Sequence, residues 1–453
     1  MVVNSDGVLK DNYTDDQTSE EDPNGDNIRT NRSSDDGPRR GIMRFTEPLF
    51  SRVIPHGGTL SNTFTFASAT LGGSIVALPW AFHAVGIVMG TVYLFLMTLV
   101  TAYTVTIIGF VMKKSRFSGF EQMSLVVLGR GAAYLMSVVM GASCLGAAVA
   151  YVIAVRTLLE PLLQQSPLTS NFFGTTAGVR LTTFFVWLLG MLPLVLPKQI
   201  NSLRYFSAIG VVCVVYFSVA IIAHATMAGV PKRGDVSMFQ GGNIAVEGFG
   251  IFIFAYLCHC VAFQTYYEMR IPSVRKLFIS TTIAMIFCSV LYWFAGVFAY
   301  LEFGPEVKDS VLYMYDPISD PMMFVAYVGL VAKLCVSYAM NMLPLRNTVY
   351  FLLQWEIQQL PYWKHTAVVT VMSILVLICG IFFPKISTVF GFVGSVCGGL
   401  IGFIYPALFY MYSGNWSLAT VGWFHYIMTY CVLMLGVASV VFGTAATIYA
   451  IIN

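Results

Sequence analysis

Charge is scarce in this chain, and the scarcity is uneven. Only 10% of its 453 residues are Asp, Glu, Lys or Arg, against about 25% in an ordinary soluble domain. Hydrophobic residues make up 57%. A soluble enzyme of this composition would expose far too much apolar surface to stay dispersed. Metal-ligand and disulfide spacings are missing too. The nine cysteines (144, 213, 258, 260, 288, 335, 379, 397 and 431) all fall in apolar segments. Cys258 and Cys260 stand two apart, which is not a metal spacing. A disulfide framework and a zinc site are therefore not expected, nor is any metal, cofactor or nucleic-acid partner. The amino terminus lacks the basic start and apolar core of a signal peptide.

What remains is apolar and long. Eleven segments are near or above the roughly 20 residues that a membrane span needs. They are Thr59–Val85, Val88–Met112, Ala132–Leu158, Ala177–Leu196, Leu203–Ala228, Ile244–Tyr267, Phe278–Phe303, Pro321–Leu345, His365–Phe383, Ile386–Tyr412 and Val421–Ile452. The expected class is a polytopic all-α membrane protein. Ten of the 22 acidic residues fall within residues 1–40. The stretch 1–50 reads as a disordered acidic tail, followed by a transmembrane domain over 55–453.

Lysine and arginine set the orientation. Alternate connections hold fifteen of them: Arg39, Arg40, Arg44, Arg52; Lys113, Lys114, Arg116, Arg130; Lys198, Arg204; Arg270, Arg275, Lys276; Arg346 and Lys364. The others hold six: Arg156, Arg180, Lys232, Arg233, Lys308 and Lys385. The amino terminus is thus expected in the cytoplasm and the carboxyl terminus outside. Sequons at Asn12, Asn31 and Asn415 then fall on the cytoplasmic side, where glycosylation is not expected.

Few residues inside the spans are suited to chemistry. In the first, Ser68, Thr70 and Ser74 surround Gly72 and Gly73. Paired glycines weaken a helix by about 1 kcal/mol each relative to alanine, and they let a ligand reach the backbone. Free N–H groups at such a break suit a carboxylate, and free carbonyls suit an ammonium or a cation. Close helix packing through small residues reads the same pattern equally. In the sixth, His259 lies with Tyr256, Cys258 and Thr265. It can contact substrate, exchange a proton, hold a break together, or make a structural hydrogen bond. Lys333, midway along the eighth span, faces a cavity or partner or loses its proton, unless its stem carries the charge to the interface. Glu268 closes the sixth span as either a gate charge near Arg270, Arg275 and Arg346 or a plain interfacial charge. The five glycines of the tenth span (391, 394, 398, 399 and 402) read as packing.

Five motifs in order resemble the amino acid/auxin permease family of the amino acid–polyamine–organocation superfamily. Gly72–Phe82 is similar to G-x-[GS]-[IV]-L-x-[LI]-P-[YW]-A-F, with Val76 in place of the leucine. Leu196–Ser207 fits L-P-[KR]-x-[IL]-x-x-L-[RK]-[YF]-x-S. Phe254–His259 and Tyr266–Glu268 fit F-A-[YF]-x-C-H and Y-x-E. Pro344–Arg346 fits P-x-R. Phe390–Ser395 and Pro406–Leu408 fit F-x-F-V-G-[AS] and P-A-[LI]. The resemblance covers nearly everything from Ser61 onward.

It implies 11 transmembrane helices in a five-plus-five inverted repeat. Repeat 1 would span about 59–228 and repeat 2 about 244–412, with discontinuous helices 1 and 6 and a peripheral helix 11 near 421–452. The implied function is secondary active transport of an α-amino acid by alternating access, without enzymatic activity, in the plasma membrane. An amino-acid sensor with little flux is the alternative. The implied substrate site is Ser68, Thr70, Leu71, Gly72, Gly73, Ser74, Ser143, Tyr151, Phe254, Ala255, Tyr256, Cys258, His259 and Ser337, with Lys333 and Glu268 in coupling or gating. Two departures stand out. Lys333 replaces an apolar residue of sodium-coupled relatives, which favours protons or facilitated transport. Cys260 stands where a proline often follows the histidine, leaving open how sharply that helix breaks.

Overall fold

The computed structural model describes residues 57–114, 117, 119–164, 172–197, 203–229, 236–355, 359–383, 385–414 and 416–452. The acidic segment, the three sequons, Arg39, Arg40, Arg44, Arg52, Arg116, Lys198, Lys232 and Arg233 lie outside these residues. The described residues are helical and contain no strand.

Among the described residues, ten helices are long and apolar enough to cross a membrane. The eleventh expected segment misses that length because it is divided. Helix α1 (Thr59–Thr70) ends at the Gly72–Gly73 pair, a 3-10 turn covers Gly73–Val76, and α2 (Leu78–Val85) follows. Pro79 sits in the first turn of α2, where its missing N–H costs nothing. Gly86 ends α2 at φ +87°. A side chain there would strike Met238 O at 2.5 Å, because this link pairs with a neighbouring strand-like stretch: Ile87 N donates to Ser237 O at 3.1 Å and Gln240 N to Val85 O at 2.9 Å.

The next helices are α3 (Ile87–Lys114), α4 (Phe120–Val127), α5 (Arg130–Gln164), α6 (Thr176–Val186) and α7 (Leu192–Val195), the last two joined by a π turn at Trp187–Met191. Helix α8 (Leu203–Ala228) follows. The sixth span is divided like the first, into α9 (Asn243–Ala255), a 3-10 turn His259–Val261 and α10 (Ala262–Glu268). The Cys260 departure therefore does not keep the helix continuous. Then come α11 (Val274–Phe303), α12 (Pro321–Leu352), α13 (Tyr362–Phe382), α14 (Ile386–Phe392), a π-helical stretch Val393–Ile404, α15 (Tyr405–Tyr412) and α16 (Leu418–Ile452).

Caps explain several ends. Asp320 accepts from Met322 N at 2.8 Å and Pro321 opens α12, a pairing that satisfies one orphan donor and needs none from proline. Lys114 donates to Ser413 O at 3.1 Å beyond the end of α15, placing a cation at a helix carboxyl end.

The broken helices lie inside the bundle. Helix α11 packs on α1, α2, α3 and α8, and α12 packs on α5 and α8. Helix α9 packs on α2 and on the π-helical stretch. That last contact is backbone to backbone: a Cβ on Gly394 would overlap Gly250 O, and one on Gly250 would lie 2.5 Å from Gly391 O. Apolar side chains such as Phe95, Val212, Val371 and Met434 are about two-thirds exposed. A face of this kind suits hydrocarbon and would aggregate in water.

Gly394→Ala is expected to lower the melting temperature of the detergent-solubilised protein sharply, since neither backbone can yield. Gly131→Ala, where a side chain meets nothing within 4 Å, should leave the melting temperature unchanged or slightly higher, a gain in stability of about 1 kcal/mol at most. Equal effects would contradict the packing.

Candidate functional site

Both breaks open onto one small buried cavity of about 50 Å3. The first span supplies Ser68, Ala69, Thr70, Gly72 and Ser74; α5 supplies Met140, Ser143, Cys144, Ala147 and Tyr151. The sixth span supplies Phe254, Leu257, Cys260 and Val261; α12 supplies Ser337, Met340 and Asn341; the π-helical stretch supplies Ile401. Of the expected site residues, Ser68, Thr70, Gly72, Ser74, Ser143, Tyr151, Phe254 and Ser337 line it. Leu71, Gly73, Ala255, Tyr256, Cys258 and His259 stand behind the lining.

The two glycines are needed because Tyr151 lies flat against them. A Cβ on Gly72 would be 2.7 Å from the Tyr151 hydroxyl, and one on Gly73 3.0 Å from the ring. Tyr151 also accepts from Asn341 Nδ2 at 3.4 Å, and the same amide donates to Ser337 O at 3.1 Å. The Ser337 hydroxyl is buried and has no hydrogen-bond partner.

A break inside hydrocarbon frees carbonyls that water cannot reach, and each costs several kcal/mol if left bare. Two side chains answer this at α1. Lys333, fully buried, donates through Nζ to Ser68 O at 3.0 Å and Ser68 Oγ at 3.2 Å. Ser68 Oγ reaches Ser207 Oγ on α8 at 2.8 Å. Gly210, also on α8, leaves room for the lysine stem, since a Cβ there would be 2.5 Å from Lys333 Cδ. Among the described residues no carboxylate pairs with Lys333.

Tyr292 of α11 serves the other freed groups. Its hydroxyl donates to Thr70 O at 2.6 Å, lies 3.1 Å from Ser74 Oγ, and stands 3.4 Å from Ala255 O at the end of α9. One phenol thus touches both broken spans. Tyr256 turns away from the cavity, bonding Ser289 and Thr98.

His259 is buried, with Nε2 2.8 Å from Thr104 Oγ1. That hydroxyl donates to Val100 O at 2.9 Å, which assigns the ring proton to Nε2 and leaves Nδ1 without a partner. A Cβ on Gly402 would come within 3.4 Å of the ring, so the histidine joins α3 to the π-helical stretch. Glu268 accepts from Gln264 Nε2 at 2.8 Å. Arg346, nearly buried, donates to Pro197 O at 3.4 Å and to Asn347 Oδ1 at 3.3 Å.

Sequence reasoning missed Met140, Cys144, Leu257, Cys260, Met340, Asn341, Ile401 and the strap Tyr292. Asn341 carried a signal: a polar residue one turn past Ser337 in an apolar span. Tyr292 carried none, because its role depends on two breaks far away in the chain. A second cavity, about 220 Å3, lies beside Arg156, Glu160 and Arg180. There Arg156 donates to Ile381 O and Phe383 O at 2.7 and 3.1 Å, which caps α13.

The family model described as transmembrane amino acid transporter protein matches residues 55–449. Similar curated proteins include vacuolar amino acid transporter 5 of Schizosaccharomyces pombe, 26% identical over 376 residues, covering 80% of this chain and 86% of that one. Another is sodium-coupled neutral amino acid symporter 2 of Danio rerio, 22% identical over 379 residues, covering 77% and 74%.

Tyr292→Phe removes the hydroxyl, leaving Thr70 O with the Gly72 N–H alone and Ala255 O without its phenol donor. It should destabilise the purified protein by about 1–3 kcal/mol, read from thermal unfolding in detergent. An unchanged transition would show that the hydroxyl does not hold the break.

Proposed function

The chain belongs to the transmembrane amino acid transporter protein family, and we propose that it is a secondary transporter of an α-amino acid working by alternating access. Its relatives named above are amino acid transporters. The observation that carries the reading is the meeting of two interrupted spans, Thr70–Ser74 and Phe254–Cys260, at one cavity inside the bundle. Helix ends facing each other across a cavity inside the bundle offer fixed partial charges of both signs. The substrate ammonium is taken by carbonyls at the ends of α1 and α9. Its carboxylate is taken by the first N–H groups of the Gly73–Val76 turn, which have no partner within that turn. Spans one to five and six to ten act as inverted repeats, and α16 lies at the periphery.

Lys333 bears on coupling. A fixed ammonium on Ser68 O stands where a coupling cation would need oxygen ligands. This supports proton coupling or facilitated transport over sodium symport, although one relative is named as sodium-coupled. The amino terminus is taken as cytoplasmic. The plasma membrane remains one location, and an internal membrane is the other, since one relative is named for the vacuole.

Uptake of radiolabelled amino acids by a transport-deficient cell expressing the chain tests this. Uptake is expected, unaffected by removing sodium, and lost in Gly73→Leu, whose side chain would displace Tyr151. Normal transport by a correctly delivered Gly73→Leu would refute the site. Binding without flux would make the protein a sensor instead. Lys333→Ala should alter the pH profile of uptake, and an unchanged profile would remove the lysine from coupling.

A further inference from the structure

The second cavity, about 220 Å3, is lined by Arg156 and Glu160 of α5 and by Thr176, Val179 and Arg180 of α6. These residues lie near the carboxyl end of α5 and in the first turns of α6. Arg156 also bonds Ile381 O and Phe383 O, at the carboxyl end of α13. Three helix ends therefore meet here. Val179 is buried, Arg156 and Glu160 are half-buried, and Thr176 and Arg180 are exposed, so the cavity reaches the surface. No residue lines both this cavity and the one between the breaks.

The cavity gathers charges of both signs. The bonds to α13 fix the Arg156 guanidinium in place. Arg180 stands 5.3 Å from the centre of the Phe382 ring. Among the described residues no carboxylate forms an ion pair with Arg180. Glu160 accepts from Gln164 Nε2 at 3.3 Å, on its own helix. The apolar neighbours are open as well. Leu181, Phe184 and Phe185 follow Arg180 along α6 and are exposed, as are Phe382 and Phe383. Arginines at helix ends beside exposed aromatic and aliphatic side chains mark the boundary between headgroups and hydrocarbon.

We infer that this cavity binds the head of a zwitterionic phospholipid, its phosphate on Arg156 and Arg180, its amine on Glu160, and its chains along the exposed face of α6. The planar fork of arginine matches a phosphate with parallel N–H donors, and basic pockets between membrane helices suit lipid heads. A purely anionic head would meet the Glu160 carboxylate as a like charge. A head that also carries an amine answers all three groups. The room corresponds to about 15–20 waters at roughly 10–15 Å3 each, more than a bare phosphate needs. A water-soluble phosphate ester shares the head chemistry, but it would leave the apolar flank uncovered.

The test is thermal unfolding of the delipidated full-length protein in detergent, with phosphatidylethanolamine, phosphatidylglycerol, diacylglycerol, glycerophosphoethanolamine or alanine added in turn. Phosphatidylethanolamine is expected to raise the transition most, and diacylglycerol and glycerophosphoethanolamine least. Its apparent affinity should fall about tenfold in Arg180→Gln, with Arg180→Lys in between. Glu160→Gln should abolish the preference for phosphatidylethanolamine over phosphatidylglycerol. Arg180 is exposed, so its variants are expected to fold, and Glu160→Gln probes the site independently. Equal stabilisation by diacylglycerol, or undiminished binding of phosphatidylethanolamine by Arg180→Gln, would overturn the site. An equal response to glycerophosphoethanolamine would overturn the lipid and give the cavity to a soluble phosphate ester. Stabilisation by alanine that Arg180→Gln removes would likewise overturn it, in favour of an amino acid.

Discussion

A helix cannot be broken in hydrocarbon unless something replaces the water its freed carbonyls would otherwise bind. Most of what is distinctive here follows from that constraint. The break after Thr70 survives because Lys333 donates to Ser68 O and Tyr292 donates to Thr70 O. The two donors come from α12 and α11, so the broken span is held by helices on either side. Each donor is itself supported. Gly210 makes space for the lysine stem, and Ser207 ties Ser68 to α8. Tyr292 also lies within reach of Ala255 O, so the two breaks share a strap and their geometries are linked.

The same constraint shapes the core. Tyr256, Tyr292, Tyr327 and Tyr338 are fully buried. Each is polar at one end only, which lets it fill volume like phenylalanine and still supply a donor. Tyr327 reaches Leu312 O at 2.7 Å, and Tyr338 lies 2.7 Å from Ser373 Oγ. Where no side chain intervenes, glycine allows the backbones to touch, as at Gly250 and Gly394. Close contact of this kind supplies dispersion where lipid offers no hydrophobic drive for helices to associate. The cavity exists between these two modes of packing, walled by small residues and by thioethers that can move.

Much of this is legible in the sequence, for local reasons. Hydropathy marks the spans because each must match the bilayer over its own length. The Gly72–Gly73 pair marks the first break, and Pro79 marks where helix resumes. Ser68, Thr70, Ser74 and Ser337 stand out as polar residues in apolar runs, and they do line the cavity. His259 and Tyr256 were as conspicuous, yet they face neighbouring helices, since sequence alone gives no azimuth within a bundle. The apolar wall was illegible for the opposite reason. Met140, Leu257 and Ile401 look like any core residue until their helices are brought together. Tyr292 is the sharpest case, because it acts on atoms more than 200 positions away in the chain.

Taken as one binding site, the two breaks and the space between them should hold the substrate together. The most direct measurement is a structure determined by electron cryomicroscopy with saturating L-alanine. Ligand density is expected between Thr70–Ser74 and Phe254–Cys260, with the α-carboxylate at the Gly73 turn and Lys333 still on Ser68. Density for alanine elsewhere in the protein, with that space empty or filled by water alone, would contradict it.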